Sequence, residues 1–258
     1  MTLSAGGRGG GRLALLAAAR AELAEHGHAS IGLRAVARRA GMSHAAPTYH
    51  FGDRSGLLTA VAAEGFRELA AALRAVVDGG RRPDLAELGG AYIDFGLAHP
   101  ALFDLMFRPA ELVLDDPELT AAETEALSIL GSVVQGTAGS APSGSAPSAG
   151  TAGAAGTAAS AGAAGTAVSD PSAGAVESLG SPAAPRGADG AAGDRTPPPL
   201  ALVSWAVVHG LVVLVRDGAL QNAVGGDPAP AAAAELAHRL ARLGAERLLS
   251  RPVHRSRP

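Results

Sequence analysis

Apolar residues recur at helical spacing along most of this chain, and this periodicity predicts an all-α protein. In the first predicted helix, residues 13–26, the apolar side chains of Leu15, Leu16, Ala19 and Leu23 share one face that can be buried. The same pattern predicts further helices over residues 33–40, 43–50, 54–78, 85–99, 100–108, 117–135, 200–215 and 230–250.

Residues 33–58 contain two short predicted helices joined by a tight turn. Gly41 can adopt a positive φ and end the first helix, and Ser43 is a suitable N-cap for the second. Pro47 has no N–H and fits only a first turn, so the second helix must be very short or begin late. Two short helices joined by a turn that contains Gly form a helix-turn-helix. From the pattern alone, an ordinary corner between two helices fits equally well.

Residues 137–198 differ in kind from the rest of the chain. They are almost wholly Ala, Gly, Ser, Thr and Pro, with six charged residues and three large aliphatic residues. Such a segment cannot bury enough apolar area to offset the conformational entropy lost on ordering. We therefore expect a disordered insertion. The first eleven residues, which are rich in Gly, are expected to form a flexible arm.

The charge is distributed unevenly along the 258 residues. All basic residues are Arg, and residues 1–66 hold seven Arg against four acidic residues, a local net charge of +3. The remainder holds 14 Arg against 20 acidic residues, a net charge of −6. A mildly basic head on an acidic body is typical of a DNA-binding module joined to a part that does not contact DNA.

Several classes of protein are disfavoured by the sequence. The chain has no Cys, which excludes disulfides, thiolate metal sites and a Cys nucleophile. There is no Ser–His–acid spacing and no Gly-rich phosphate loop between a strand and a helix, so we expect no enzyme and no cofactor. We also expect no metal site. No apolar run reaches the roughly 18–20 residues of a membrane span, and the N-terminus lacks the apolar core of a signal peptide. We expect a cytoplasmic protein without a membrane partner.

Residues 33–58 resemble the DNA-binding domain of the TetR family of bacterial repressors. The resemblance is carried by LRAVARRAGMS at 33–43, YHF at 49–51, and the pairs Asp53-Arg54 and Leu57-Leu58, and it extends over residues 13–69. It implies a helix-turn-helix DNA-binding domain at 9–69. It also implies a C-terminal ligand-binding and dimerisation domain at 70–253, with the insertion at 137–198 inside it.

The resemblance implies a surface that contacts double-stranded operator DNA. Arg34 and Arg54, each near the start of a helix, are expected at phosphates, while His44 and Thr48 are expected at bases, where no Arg is present. His50 either holds a phosphate or packs at the corner between helices. The expected DNA-contacting residues are Arg34, Ser43, His44, Ala45, Thr48, Tyr49, His50 and Arg54.

The predicted body resembles the subgroup of the same family whose C-terminal domain carries a Trp–His–Gly (WHG) signature. Trp205, His209 and Gly210 have the spacing W-x-x-x-H-G, and residues 95–107 also match that subgroup. Trp205 and His209 lie on one helix face and are expected to line a cavity for a small hydrophobic ligand, although core packing also explains His209. The expected ligand-binding residues are Tyr92, Phe95, Phe103, Met106, Trp205 and His209.

These features together predict a ligand-responsive regulator of transcription. The predicted form is a homodimeric repressor on a palindromic operator, with the last two helices of each subunit pairing in a four-helix bundle. The alternative is a helical protein-interaction module with a degenerate DNA-binding head, which Pro47 favours. The sequence does not identify the ligand, the operator, the regulated genes, the role of the insertion, or repression as opposed to activation.

Overall fold

The computed structural model describes residues 6–79, 84–138, 199–223 and 230–249. These residues form ten α-helices and no strand, which confirms the predicted all-α class. The predicted insertion lies almost wholly outside the described residues. The helices are α1 (Gly6–His26), α2 (Leu33–Arg39), α3 (Ala46–Phe51), α4 (Arg54–Val77), α5 (Leu85–Ala98), α6 (Pro100–Met106), α7 (Pro117–Ala138), α8 (Pro199–Arg216), α9 (Ala219–Ala223) and α10 (Pro230–Leu249). Single 3₁₀ turns occur at His28–Ser30 and Pro109–Glu111.

The first helix begins earlier than its sequence predicts. Residues 6–11 are helical, so the prediction of a flexible arm is wrong for them. Gly11 has no side chain and lies close to α3, since a Cβ there would be 3.1 Å from Cε of Met42 and 3.4 Å from Nε2 of His50. The guanidinium of Arg12 lies 5.5 Å from the centre of the Phe51 ring. Packing of α1 on α3 therefore outweighs the poor helix propensity of Gly.

The turn after α2 forms as predicted. Gly41 has a φ of 65°. The N–H of Gly41 donates to the carbonyl of Arg38 at 3.1 Å, and the N–H of Met42 donates to the carbonyl of Ala37 at 2.9 Å. These two bonds make a Schellman motif, in which a residue with positive φ satisfies the last carbonyl groups of a helix.

The third helix is short and begins at Ala46, with Ala45 in the N-cap position. Ser43 is not the N-cap, so that prediction is wrong. Its carbonyl instead accepts from the N–H of Ala46 at 3.0 Å. The buried Pro47 is the second residue of α3, inside the first turn. The proline ring thus sets where the helix begins, because Pro is tolerated in the first turn and not later.

Helix α4 connects the head, formed by α1–α3, to the body, formed by α5–α10. Asp53 caps α4, with its carboxylate accepting from the N–H of Gly56 at 2.8 Å. Buried side chains follow one another along α4 from Leu57 to Leu73. The apolar core runs without interruption from Leu15 in α1 through α4 to Leu88 in α5. Because α4 belongs to both parts, movement in the body can reach the head through it.

In the body, α8 packs against α5 and α10. A Cβ on Gly96 of α5 would lie 2.6 Å from Cγ1 of Val212, so only glycine allows this approach. Helix α8 is long and apolar enough to cross a membrane by length and composition, with 33% of that stretch buried in the structure. Its apolar side chains Val203, Val207 and Leu214 are 47%, 38% and 43% exposed.

Two helices of the body, α7 and α9, differ from the prediction. Helix α7 extends to Ala138 and therefore includes residues 137 and 138, which were predicted to belong to the insertion. Helix α9 was not predicted at all. It follows Gly218, whose φ is 74°, and buries the side chain of Leu220. A five-residue helix has no room for the periodic pattern by which helices are predicted from sequence.

Candidate DNA-binding surface and ligand site

The turn before α3 and the exposed face of α3 form a polar surface of the head. Its residues, which we call the recognition surface, are Ser43, His44, Ala45, Thr48 and Tyr49. All five are exposed, and the side chain of Tyr49 is exposed to 73%. The turn and the short helix therefore present together the side chains that were predicted to contact DNA.

His50 is half-buried beside this surface. Its ring packs edge-on against Tyr49 at 5.1 Å and tilted against Phe51 at 6.1 Å. The imidazole also lies against α1 at Gly11. These contacts support packing at the corner, one of the two roles considered for this residue.

The arginines of the head fall into two groups. Arg34 and Arg38 of α2 are exposed, and no described residue forms a hydrogen bond or ion pair with either. Arg39 is different, because its Nε donates to Glu22 at 2.7 Å and its Nη1 donates to Glu25 at 2.8 Å. Within the described part of α2, the arginines available for a phosphate are therefore Arg34 and Arg38.

The guanidinium of Arg54 is held by groups within the protein. Its Nε donates to the carbonyl of Ile31 at 3.0 Å, one terminal nitrogen donates to the carbonyl of His28 at 2.7 Å, and the other donates to Glu111 at 2.5 Å. Every nitrogen of the guanidinium thus has a partner within the protein. We correct the prediction and assign Arg54 to the contact between head and body, since Glu111, 57 residues away in sequence, is brought to it only by folding.

Arg54 belongs to a group of charged residues where the head meets the body. This group, which we call the polar junction, consists of His28, Arg54, Asp104, Glu111 and Arg216. The imidazole of His28 lies between two carboxylates, 3.5 Å from Glu111 and 3.8 Å from Asp104. Asp104 also accepts from Arg216 of α8 at 3.2 Å. The hydrogen bond from Arg54 holds the pKa of Glu111 below its ordinary value.

A second contact joins α1, α4 and α7. Arg12 and Arg67 each donate to the same carboxylate oxygen of Glu118 at 3.1 Å. These two bonds lower the pKa of Glu118, with Arg67 as the main cause. The guanidinium of Arg12 is therefore directed at the body.

Five rings meet between α5, α6 and α8. We call them the aromatic cluster, and they are Tyr92, Phe103, Phe107, Trp205 and His209. The imidazole of His209 stacks on Phe103 with 5.1 Å between ring centres, and it meets the edge of Phe107 at 4.5 Å. Phe107 was not among the predicted ligand-binding residues. Its position four residues after Phe103, on the same side of a helix, is the sequence signal that points to it.

Four of the six predicted ligand-binding residues belong to this cluster, and two lie elsewhere. Phe95 packs on the ring of His99 at 5.1 Å. Met106 lies against α4, where its sulfur would be 2.7 Å from a Cβ on Gly65. Both side chains are buried, so they belong to the core around the cluster.

A chain of hydrogen bonds runs through the aromatic cluster. Nε1 of Trp205 donates to the hydroxyl of Tyr92 at 3.0 Å, and that hydroxyl lies 3.0 Å from Nδ1 of His209. Burial raises the pKa of Tyr92 well above its usual range. Burial, together with the charge of Arg216, lowers the pKa of His209. Tyr92 and His209 are therefore both neutral near pH 7.

The rings of the cluster are unequally buried, since Tyr92 and Phe103 are buried whereas Phe107, Trp205 and His209 are half-buried. Two grooves of about 470 and 410 Å³ lie on the described surface, and neither is lined by any member of the cluster. Phe107, half-buried just after the end of α6, is the least confined of the three phenylalanine and tyrosine rings in the cluster. No group of three or more potential metal ligands is found among the described residues.

The sequence and the fold match known proteins. Residues 15–61 match the family model "Bacterial regulatory proteins, tetR family", and residues 85–240 match "Tetracyclin repressor-like, C-terminal domain". No curated protein matches the chain. A solved structure of a protein of unknown function from Rhodococcus sp. RHA1 is 26% identical, with 93% of each chain covered and a TM-score of 0.59.

A second solved structure, of the regulatory protein SCO4313, is 19% identical, covering 93% of this chain and 98% of the other with a TM-score of 0.57. At this identity the likeness shows the fold alone. The two family models between them span the head and most of the body, and the second alone covers more than half of the chain. The chain therefore belongs to the TetR family of bacterial regulatory proteins.

Proposed function

We propose that this protein is a homodimeric, cytoplasmic repressor that binds a palindromic operator and responds to a small hydrophobic ligand. The observation that carries the proposal is the recognition surface, which presents exposed polar side chains on a helix-turn-helix. An exposed second helix of this motif is suited to enter the major groove. Two heads related by a two-fold axis would bind half-sites about one helical turn apart, or a multiple of that distance.

The residues divide by role. His44 and Thr48 would form hydrogen bonds with base edges, and the methyl group of Ala45 would contact thymine. Arg34 would bind a phosphate, and Ser43 and Tyr49 would help to position the head on the backbone. His50 would pack at the corner between α1 and α3. Arg54 would not contact DNA. It would stabilise the head by holding the start of α4 on the loop before α2.

We place the DNA-binding domain at 9–69 and the ligand-binding and dimerisation domain at 70–253, within the WHG subgroup. The exposed apolar side chains Val203, Val207 and Leu214 of α8, with Leu243 of α10, support dimerisation through these helices. A Cβ on Gly210 would meet nothing within 4 Å, so a second backbone can approach there. Two such helices from each subunit would form a four-helix bundle.

Helix α6 offers a route from ligand to DNA. It carries Phe103 of the aromatic cluster and, one residue later, Asp104 of the polar junction. A ligand that displaces a ring on α6 would also shift Asp104, and with it the contacts to His28 in the head. The size of such an effect is limited by the difference in ligand affinity between the two head positions.

The direct test is a gel-shift titration on the DNA upstream of the gene and of its neighbour. We expect sequence-selective binding that weakens steeply with salt, as the release of counterions from phosphates requires. Binding that is neither selective nor salt-dependent would instead favour the protein-interaction module.

The dimer is tested separately by sedimentation. We expect Val207→Asp to yield monomers, because a charge would be buried in the apolar interface. Val113→Asp is the matched control, since Val113 is 39% exposed against 38% for Val207 and lies in the loop before α7. A monomeric wild-type protein, or equal effects of the two substitutions, would argue against dimerisation through α8.

A further inference from the structure

The hydrogen bonds inside the aromatic cluster fix the chemistry that His209 offers. The hydroxyl of Tyr92 accepts the N–H of Trp205 and is only 5% exposed. A hydroxyl has one proton to donate. If His209 carried its proton on Nδ1, the hydroxyl would accept twice and its own proton would have no acceptor. A buried donor without a partner costs about 1–3 kcal/mol.

The other arrangement satisfies every group. Trp205 donates to Tyr92, Tyr92 donates to Nδ1 of His209, and the proton of His209 is then on Nε2. The lowered pKa of His209 and the raised pKa of Tyr92 agree with this arrangement, since both side chains stay neutral. Trp205 thus acts through Tyr92 to orient the imidazole.

In this arrangement the N–H at Nε2 of His209 is the polar group without a hydrogen-bond partner among the described residues. No described residue forms a hydrogen bond with Nε2 of His209, and this atom is not among the buried polar atoms that lack a partner, so it is accessible. Around it are the apolar rings of Phe103 and Phe107. The positive guanidinium of Arg216 lowers the pKa of His209. The same positive charge disfavours the binding of a cationic ligand beside His209.

We propose that the body binds a largely apolar molecule with a carbonyl-type oxygen, which accepts a hydrogen bond from Nε2 of His209. This inference rests on the proposed function, in which the aromatic cluster is the ligand site, and it names the ligand's chemical class. Tyr92 and Trp205 are positioning residues that fix the imidazole as a donor. Aromatic rings also bind cations. We expect no preference for a cationic ligand here, because the positive charge of Arg216 would repel it.

The first test needs no ligand. Long-range proton–nitrogen NMR spectra of the full chain labelled in its eight histidines distinguish the two imidazole tautomers, and His209→Phe identifies the signal. We expect the Nε2–H tautomer in the wild type and a mixture in Tyr92→Phe. The control is Tyr49→Phe, which removes the hydroxyl of the only other tyrosine and should leave the tautomer of His209 unchanged. An Nδ1–H tautomer or a mixture in the wild type would overturn the proposal.

The second test uses three probes of similar size, measured by calorimetry: methyl benzoate, butylbenzene and 3-phenylpropan-1-amine. We expect His209→Phe to weaken methyl benzoate by about tenfold, the upper end of the net value of one hydrogen bond, and butylbenzene by less than about twofold. Equal losses, no binding of methyl benzoate to the wild type, or tighter binding of the amine would refute the ligand class. Operator binding is measured separately, so failure of DNA binding and failure of this proposal give different results.

Discussion

The recognition surface and the polar junction use the same kinds of side chain in opposite ways. His44 of the recognition surface is exposed, and Arg34 of α2, in the same helix-turn-helix, is exposed and has no partner among the described residues. At the junction, His28 lies between two carboxylates and Arg54 has a partner for each of its nitrogens. The comparison teaches that an arginine in a helix-turn-helix is available to DNA only if folding has not brought an acceptor to it.

The largest difference is expected in stability. Arg54→Ala should lower the free energy of unfolding by about 2 kcal/mol, because it leaves two backbone carbonyls and Glu111 without their charged donor. Arg34→Ala should change it by less than about 0.5 kcal/mol, as is usual for an exposed residue. Urea unfolding followed by circular dichroism measures both. Equal effects would remove the distinction between the two arginines.

The next effect concerns the choice of DNA sequence. His44→Ala should lower the preference for the best operator over a mutated one by about 1–2 kcal/mol, because base contacts carry discrimination. Binding to unrelated DNA should stay nearly constant. Competition gel shifts with a set of single-base operator variants measure this preference. An unchanged preference at every position would remove His44 from the base-contacting residues.

A smaller effect is expected for the phosphate contact. Arg34→Ala should weaken binding to all sequences by about 1 kcal/mol and reduce the slope of log K against log salt by about one. The matched control is Arg39→Ala, which removes an arginine of the same helix that is paired with Glu22 and Glu25. The control should leave the salt slope unchanged. Fluorescence anisotropy at several salt concentrations tests this, and the reverse result would exchange the two assignments.

The smallest effect sharpens the junction itself. The pKa of Glu111 is lowered in the folded protein, chiefly by Arg54. A carboxylate with a lowered pKa stabilises the fold above its unfolded pKa of about 4.3, and this contribution disappears as the pH falls through the folded pKa. Glu111→Gln should therefore be less stable than the wild type near pH 7, by less than about 1 kcal/mol for this partly exposed pair. The two proteins should become equally stable once the pH has fallen below the folded pKa of Glu111, and urea unfolding at a series of acidic pH values measures this. A difference that is independent of pH would show that the charge of Glu111 is not what matters.

Local features were predictable because their causes lie within a few residues. Gly41 ends α2 with a positive φ, and Asp53 caps α4 through the N–H three residues later. Errors arose where distant packing outweighed a local preference. The glycine-rich residues 6–11 are helical. Gly11 and Arg12 contact residues of α3, and this packing stabilises the start of α1. The error at Ser43 is of another kind, because its cause is local: Pro47, four residues later, sets the start of α3.

The sequence by itself determined the helices, the turn of the helix-turn-helix and the pairing of Trp205 with His209 on one face. Each depends on periodicity or on hydrogen bonds between near neighbours. Only the tertiary structure decided that Arg54 is held by Glu111 and that Tyr92, 117 residues from His209, fixes the imidazole. The physical reason is that a charged or polar side chain takes its role from the groups that burial places beside it, and those groups come from distant parts of the chain.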